Sequence, residues 1–153
     1  MLRVADCMDK KPKTIYPQTT LREAVGIMLK DGLSGLTVVD AKKKIIGVLT
    51  LGYLLRGFTP DHLDQLSDGM LSELEAVNIQ AFFGATSALF LTADFYKQDI
   101  HPLTPELPLL NAAAEMERQM LEFLPVGKNG KLAGVLSRHH LMQAFFSKAS
   151  PST

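Results

Sequence analysis

The sequence is short of net charge, of cysteine and of long apolar runs, and each shortage excludes a class of protein. Its 16 Lys and Arg balance 16 Asp and Glu. A chain without net charge offers no broad positive field to a phosphate backbone, so nucleic acid is not an expected partner. Cys7 is the single cysteine. No internal disulfide can form, which fits a reducing cytosol, and Cys7 reads as a small packing residue. The longest apolar-biased stretch, residues 81–93, is interrupted by Gly84, Thr86 and Ser87 and is too short to cross a bilayer. At the N-terminus, Arg3, Asp6, Asp9, Lys10 and Lys11 break any apolar signal region before it forms. The expectation is a cytoplasmic chain with no membrane segment. Catalytic signatures are missing as well. There is no P-loop, dinucleotide fingerprint or activated serine, and Glu115, Glu117 and Glu122 lack a partner placed for acid–base work. His101, His139 and His140 invite a metal reading. Adjacent histidines on a helix point to different faces, however, and no carboxylate or cysteine stands at ligand spacing to them. Neither an enzyme nor a metal site is expected.

What the chain does have is a repeat. Its 153 residues, 46% of them hydrophobic, suit one compact domain or two small, mutually dependent lobes. Laid against itself at a shift of 88, the sequence pairs Ala5 with Ala93, Asp6 with Asp94 and Pro17 with Pro105. The same shift pairs Leu21 with Leu109, Ala24 with Ala112, Met28 with Met116, Leu36 with Leu124 and Val38 with Val126. After the lysine turn at Lys42–Lys44 the shift becomes 87, so that Gly47 meets Gly134, Leu54 meets Leu141 and Phe58 meets Phe145. A one-residue deletion in a turn accounts for the change.

Each copy carries the same elements. In copy one, residues 4–8 are helix-like and residues 14–16 extended. Thr20 with Glu23 is a capping box, opening a helix that shows Leu21, Ala24, Val25, Met28 and Leu29 on one face until Gly32 stops it. Strands over 36–39 and 45–49 flank a polar turn, and a helix over 51–58 closes the unit. Copy two repeats this with a helix over 109–120, strands over 124–126 and 132–136, and a helix over 139–146. Asn129-Gly130 marks a tight hairpin between its strands. The unit is β-α-β-β-α, and the fold class is α/β in the α+β sense: two pseudo-symmetric units packed through their sheets. One unit cannot bury both faces of its sheet, and pairing two leaves clefts near the strand ends.

Residues 59–88 join the copies. Thr59-Pro60 is a helix start, and Leu63, Leu66, Met70, Leu74 and Val77 continue at helical spacing, so the connection is expected to be helical. Residues 149–153 read as a frayed tail.

Gly47, Val48, Leu49 and Thr50 reappear as Gly134, Val135, Leu136 and Ser137. Each stretch runs from a buried strand into an amphipathic helix, which puts Thr50 and Ser137 at N-cap positions. A hydroxyl there serves the unpaired amides of the first turn, and the same place can hold a phosphate. Capping alone and capping plus phosphate binding are both open on these residues.

With this repeat, element order and pair of Gly-Val-Leu-Thr/Ser stretches, the chain resembles a tandem pair of cystathionine-beta-synthase (CBS) domains, a Bateman module. The resemblance divides the chain into a first CBS motif at 1–58, a helical connection at 59–88, a second motif at 89–148 and a tail. It implies a sensor of adenine nucleotides or adenosyl compounds, with AMP, ADP, ATP or S-adenosylmethionine as candidate ligands, that controls a partner protein. It also implies a homodimer, in which the closing helices would contribute Leu55, Phe58, Phe145 and Phe146. The family's junction has a glycine, two aliphatics, Thr or Ser, two variable residues and an Asp that accepts from ribose hydroxyls. Glycine and hydroxyl match at Gly47 and Thr50 and at Gly134 and Ser137, whereas Tyr53 and His140 stand at the Asp position. The family's proline in the first hairpin strand is present as Pro125 and replaced by Thr37. By the same resemblance, Thr14, Ile15, Leu36 and Val38, and Pro102, Leu103, Leu124 and Val126, correspond to walls that enclose an adenine. Two functional readings follow. Thr50 and Ser137 favour a ligand-sensing module acting on a separate protein; Tyr53 and His140 favour a ligand-free dimerisation scaffold.

Overall fold

The computed structural model describes residues 1–58 and 79–147. In chain order its elements are α1 (Val4–Cys7), β1 (Thr14–Ile15), α2 (Leu21–Asp31), β2 (Gly35–Val39), β3 (Ile45–Thr50) and α3 (Leu51–Phe58), then α4 (Ile79–Leu89), α5 (Leu109–Gln119), β4 (Phe123–Lys128), β5 (Lys131–Ser137) and α6 (Arg138–Ser147). A 3-10 turn at Thr92–Asp94 follows α4. The expected helix over most of 59–78, with Leu63, Leu66, Met70, Leu74 and Val77, falls outside the described residues, as does the tail. The last third of the connection is helical as α4, and Arg22 on α2 donates to its Gly84 carbonyl at 2.6 Å.

Local signals act where the sequence places them. Thr20 accepts from the Glu23 amide at 3.2 Å, a cap worth about 1 kcal/mol. Gly32 ends α2 at φ 64°, where a side chain would be strained. Leu21, Ala24 and Met28 form the buried stripe of α2, and Leu109, Ala112 and Met116 form that of α5, at the same repeat positions. Burying each of the larger side chains contributes about 1.5–3 kcal/mol. β1, β2 and β3 make one sheet, β1 parallel and β3 antiparallel to β2. β4 and β5 make the other, an antiparallel hairpin closed by Asn129 and Gly130 at φ 55° and 78°. Leu103 bridges Val126 in parallel, where copy one has β1. Both sheets bulge at one repeat position, after Val38 and after Val126.

The two copies exchange their opening segments. α1 belongs to copy one in sequence but lies on copy two: the Val4 amide donates to the Leu107 carbonyl and Ala5 to Pro105, both at 2.9 Å. The chain then crosses β5, where Asp9 and Val135 exchange amide–carbonyl bonds of 2.9 and 3.0 Å. The Thr92–Asp94 turn answers on copy one, with Thr92 donating to Thr19 at 2.7 Å and Ala93 to Pro17 at 2.9 Å, before Lys97 and Val48 pair across β3. Asp6 and Asp94 hold equivalent bends through the Arg3 and Leu91 amides, at 2.9 and 3.0 Å.

This crossing explains the repeated glycines. A Cβ on Gly134 would stand 2.6 Å from the Asp9 carbonyl oxygen, and one on Gly47 would strike the Lys97 carbonyl and the Tyr96 ring. The exchange also ties the cores together. Val4 and Val48 sit in the apolar cluster of the second copy, while Phe95 and Tyr96 flank that of the first.

Candidate functional site

Where the two copies meet at their strand ends, a cleft of about 510 Å³ opens. The end of β5 and the start of α6 bring Ser137, Arg138, His139 and His140 to it; β2 brings Gly35 and Thr37; and the segment after α1 brings Asp9, Lys11, Pro12 and Lys13. Asp31, Glu122 and Phe123 complete the wall. Gly35 makes room for Phe123 from the other copy, whose ring lies where a Gly35 side chain would go.

Ser137 caps α6 by accepting from the His140 amide at 3.2 Å. The His140 ring folds back, so that Nδ1 accepts from the Ser137 amide at 3.0 Å and lies 3.0 Å from the Ser137 hydroxyl. This is a capping box with an imidazole in the place of the usual Glu or Gln. Because Nδ1 accepts from an N–H, the neutral ring carries its proton on Nε2, which leaves one free donor on a cleft residue. Burial pushes the His140 pKa below its ordinary 6.5, with His139 adding to the effect and Asp9 opposing it.

Thr37 lines the cleft and is fully buried, and its hydroxyl has no hydrogen-bond partner among the described residues. Buried hydroxyls are nearly always paired. The cationic groups differ in availability. Lys13 pairs with Asp31, and Arg138 reaches Glu117 at 3.3 Å. Lys11 makes no ion pair among the described residues; its amide donates to Asp9 at 2.9 Å. Among the described residues, no group of three or more His, Cys, Asp or Glu side chains could hold a metal ion.

Of the residues picked out by sequence, Thr37, Ser137 and His140 therefore share one cleft. Thr50 and Tyr53 occupy the equivalent junction in the other half. Thr50 accepts from the Tyr53 amide at 3.0 Å, and the Tyr53 ring lies 5.9 Å from the Arg56 guanidinium. Ile15, Leu36, Val38, Leu124, Pro125 and Val126 are buried in the core, and Thr14 is half-buried beside Thr37 on β1. Pro102 and Leu103 line a separate, more open cavity of about 420 Å³, whose charged Glu115 and Arg118 pair with each other. Sequence reasoning missed Lys11, Lys13, Asp31, Glu122 and Arg138 as cleft residues, and placed His139 on a different face from His140 although both line the cleft. The crossing of α1 onto copy two is what brings the lysines there, and no local pattern announces it.

A family profile described as the CBS domain matches residues 4–59 and 93–147, one match in each copy. Among curated proteins, an inosine-5'-monophosphate dehydrogenase of Aquifex aeolicus (strain VF5) is 49% identical over 39 residues, 26% of this chain and 8% of that enzyme. The chain thus spans a small fraction of that relative's length. Among solved structures, CBSX2 in complex with AMP superposes with a TM-score of 0.71 at 20% identity, covering 97% of this chain and 99% of that one; CBSX2 is from Arabidopsis thaliana. The CBS domain pair of MJ0100, in complex with 5'-methylthioadenosine and S-adenosyl-L-methionine, gives 0.70 at 17% identity, covering 97% and 98%. At these identities the likeness is one of fold, a tandem pair of units.

Proposed function

The chain belongs to the CBS domain family, as a tandem pair, and from that premise we propose that it is a regulatory module that binds an adenine nucleotide or adenosyl compound in the Ser137–His140 cleft. AMP, ADP, ATP and S-adenosylmethionine are the ligands to test. The pair would act on a separate protein rather than catalyse a reaction itself. The observation that carries this reading is the buried Thr37 hydroxyl, without a partner among the described residues, in the wall of a cleft of about 510 Å³. A polar group kept there without a partner costs stability, and a ligand's polar atom supplies the missing bond. The Lys11 ammonium suits a phosphate at the same opening. That solved CBS pairs are complexed with AMP and with S-adenosyl-L-methionine supports the choice of ligand class.

A thermal-shift screen of the four compounds, with NAD(H) added, tests the proposal. A ligand at about 100 times its Kd adds about 2.7 kcal/mol of stability, and at this chain length each kcal/mol moves Tm by about 2–4 °C. A rise of about 5–10 °C with one compound is expected, and no rise with any of them at millimolar concentration would overturn the ligand reading. The ligand-free dimerisation scaffold is the second reading, favoured by one observation: the His140 ring already occupies the Ser137 amide. Leu55, Phe145 and Phe146 are exposed on the closing helices and would meet a second copy in either reading. The side chain of Phe58 falls outside the described residues.

A further inference from the structure

We propose that His140 is a proton-operated latch on the cleft: neutral, it occupies the Ser137 amide that an anionic ligand group would take, and protonated, it releases that amide and brings a positive charge to the same wall. The proposal rests on the reading of this cleft as a ligand site, to which the buried, unpartnered Thr37 hydroxyl points independently.

The geometry sets the logic. Nδ1 accepts from the Ser137 amide at 3.0 Å. An imidazolium has N–H donors at both ring nitrogens and nothing with which to accept. On protonation, two donors would face each other, and that contact must break. The ring can keep the Ser137 hydroxyl, 3.0 Å away, because an oxygen has a second lone pair to offer beyond the one meeting the His140 amide. It cannot keep the Ser137 amide. The freed amide, at the entry to α6, is then available to an oxyanion, next to a ring that has just become cationic.

The groups around the ring decide when this happens. From the segment after α1 come Asp9, Lys11 and Lys13; from the end of α2, Asp31; from the start of the β4–β5 hairpin, Glu122; and from α6 itself, Arg138 and His139. Lys13 and Asp31 offset each other, and Arg138 is engaged by Glu117. Asp9 favours the proton, while burial and His139 disfavour it and prevail. The latch is therefore closed at neutral pH and opens on acidification, at a lower pH than an ordinary histidine would need. Because opening takes up a proton and creates the anion site, anion affinity rises as pH falls.

Sulfate is the probe, since its charge does not change over the range used. In long-range proton–nitrogen NMR spectra at about pH 8, His140 is expected as the Nε2–H tautomer, and the Ser137 amide should titrate together with the ring as pH falls. Sulfate should bind about ten- to a hundredfold more tightly at about pH 5.5 than at about pH 8, shifting the Ser137 amide. His140→Ala should bind sulfate alike at both pH values, whereas His139→Gln should keep the pH response. An Nδ1–H tautomer at pH 8, or equal sulfate affinity at both pH values in the wild type, overturns the latch; so does a response lost in His139→Gln and kept in His140→Ala. The tautomer is read in the wild-type chain, so the test does not depend on either variant folding. Nucleotide binding without any pH dependence would overturn the latch and leave the proposed function standing. A pH-dependent sulfate response without nucleotide binding would do the reverse.

Discussion

Thr37→Val separates a hydroxyl kept for a ligand from one that merely happens to be buried. Thr37 is fully buried in β2, opposite Val48 on β3 and beside Thr14 on β1, and its Oγ1 has no partner among the described residues. Valine keeps the branched shape and the strand preference and removes the oxygen. An unpaired buried hydroxyl costs about 1–3 kcal/mol, so the free variant should be more stable by about that amount, raising Tm by about 2–10 °C. The ligand should respond in the opposite direction. Losing the hydrogen bond and leaving the ligand's polar atom unpaired costs about 1–3 kcal/mol, or about five- to 150-fold in affinity. Thr92 provides the control. Its hydroxyl is also buried without a partner, it lies away from the cleft, and its repeat counterpart is the fully buried Val4. Thr92→Val should gain stability and leave affinity unchanged. The assays are thermal melts of the free proteins and calorimetric titration with whichever adenine compound the screen selects. If Thr37→Val behaves like Thr92→Val, more stable with unaltered affinity, the argument from the Thr37 hydroxyl is refuted.

Three further outcomes follow from the geometry. Ser137→Ala should weaken ligand binding more than Thr50→Ala, because Ser137 lines the open cleft while Thr50 is buried as the cap of α3; equal titration curves for the two variants would contradict this. Gly47→Ala and Gly134→Ala should each cost about 1–3 kcal/mol in a denaturant melt, since the new methyl meets a backbone carbonyl of the crossing segment; an unchanged midpoint would mean that the crossing is not a tight contact. The exposed Leu55, Phe145 and Phe146 should be covered by a second copy, giving a dimer by light scattering at micromolar concentration without ligand, and a monomer would contradict it.

The element order was legible because it is punctuated by residues with local mechanisms. Thr20 caps, Gly32 takes the left-handed conformation, and Asn129-Gly130 turns the hairpin. The buried stripes of α2 and α5 were legible too, since apolar spacing says which face is hidden, although Leu29, assigned to the hidden face of α2, is exposed. Spacing does not say which half of the molecule hides that face. Val4 is buried, as its surroundings in sequence suggest, yet what covers it is the second copy's core. That long-range choice also controls the site, because the crossing of α1 is what delivers Lys11 and Lys13 to Ser137. Their exposed, charged stretch reads as surface on its own. Thr37 was singled out only as the residue in the proline's place; its lack of a partner was not legible, because a threonine among aliphatics is an ordinary strand former, and only burial without a partner makes it unusual. The repeat shows where the two halves part company. Positions that hold the scaffold agree across the copies: both glycines under the crossings, both bulges, both aspartates at the bends. Positions that face the cleft disagree. At the repeat positions of Gly35, Thr37 and His140 stand Phe123, Pro125 and Tyr53: two rings and a proline with no donor of its own. The cleft at Ser137 draws Gly35 and Thr37 from one copy and Phe123, Ser137 and His140 from the other, so the proposed ligand recognition depends on how the two copies are packed rather than on either copy's own pattern.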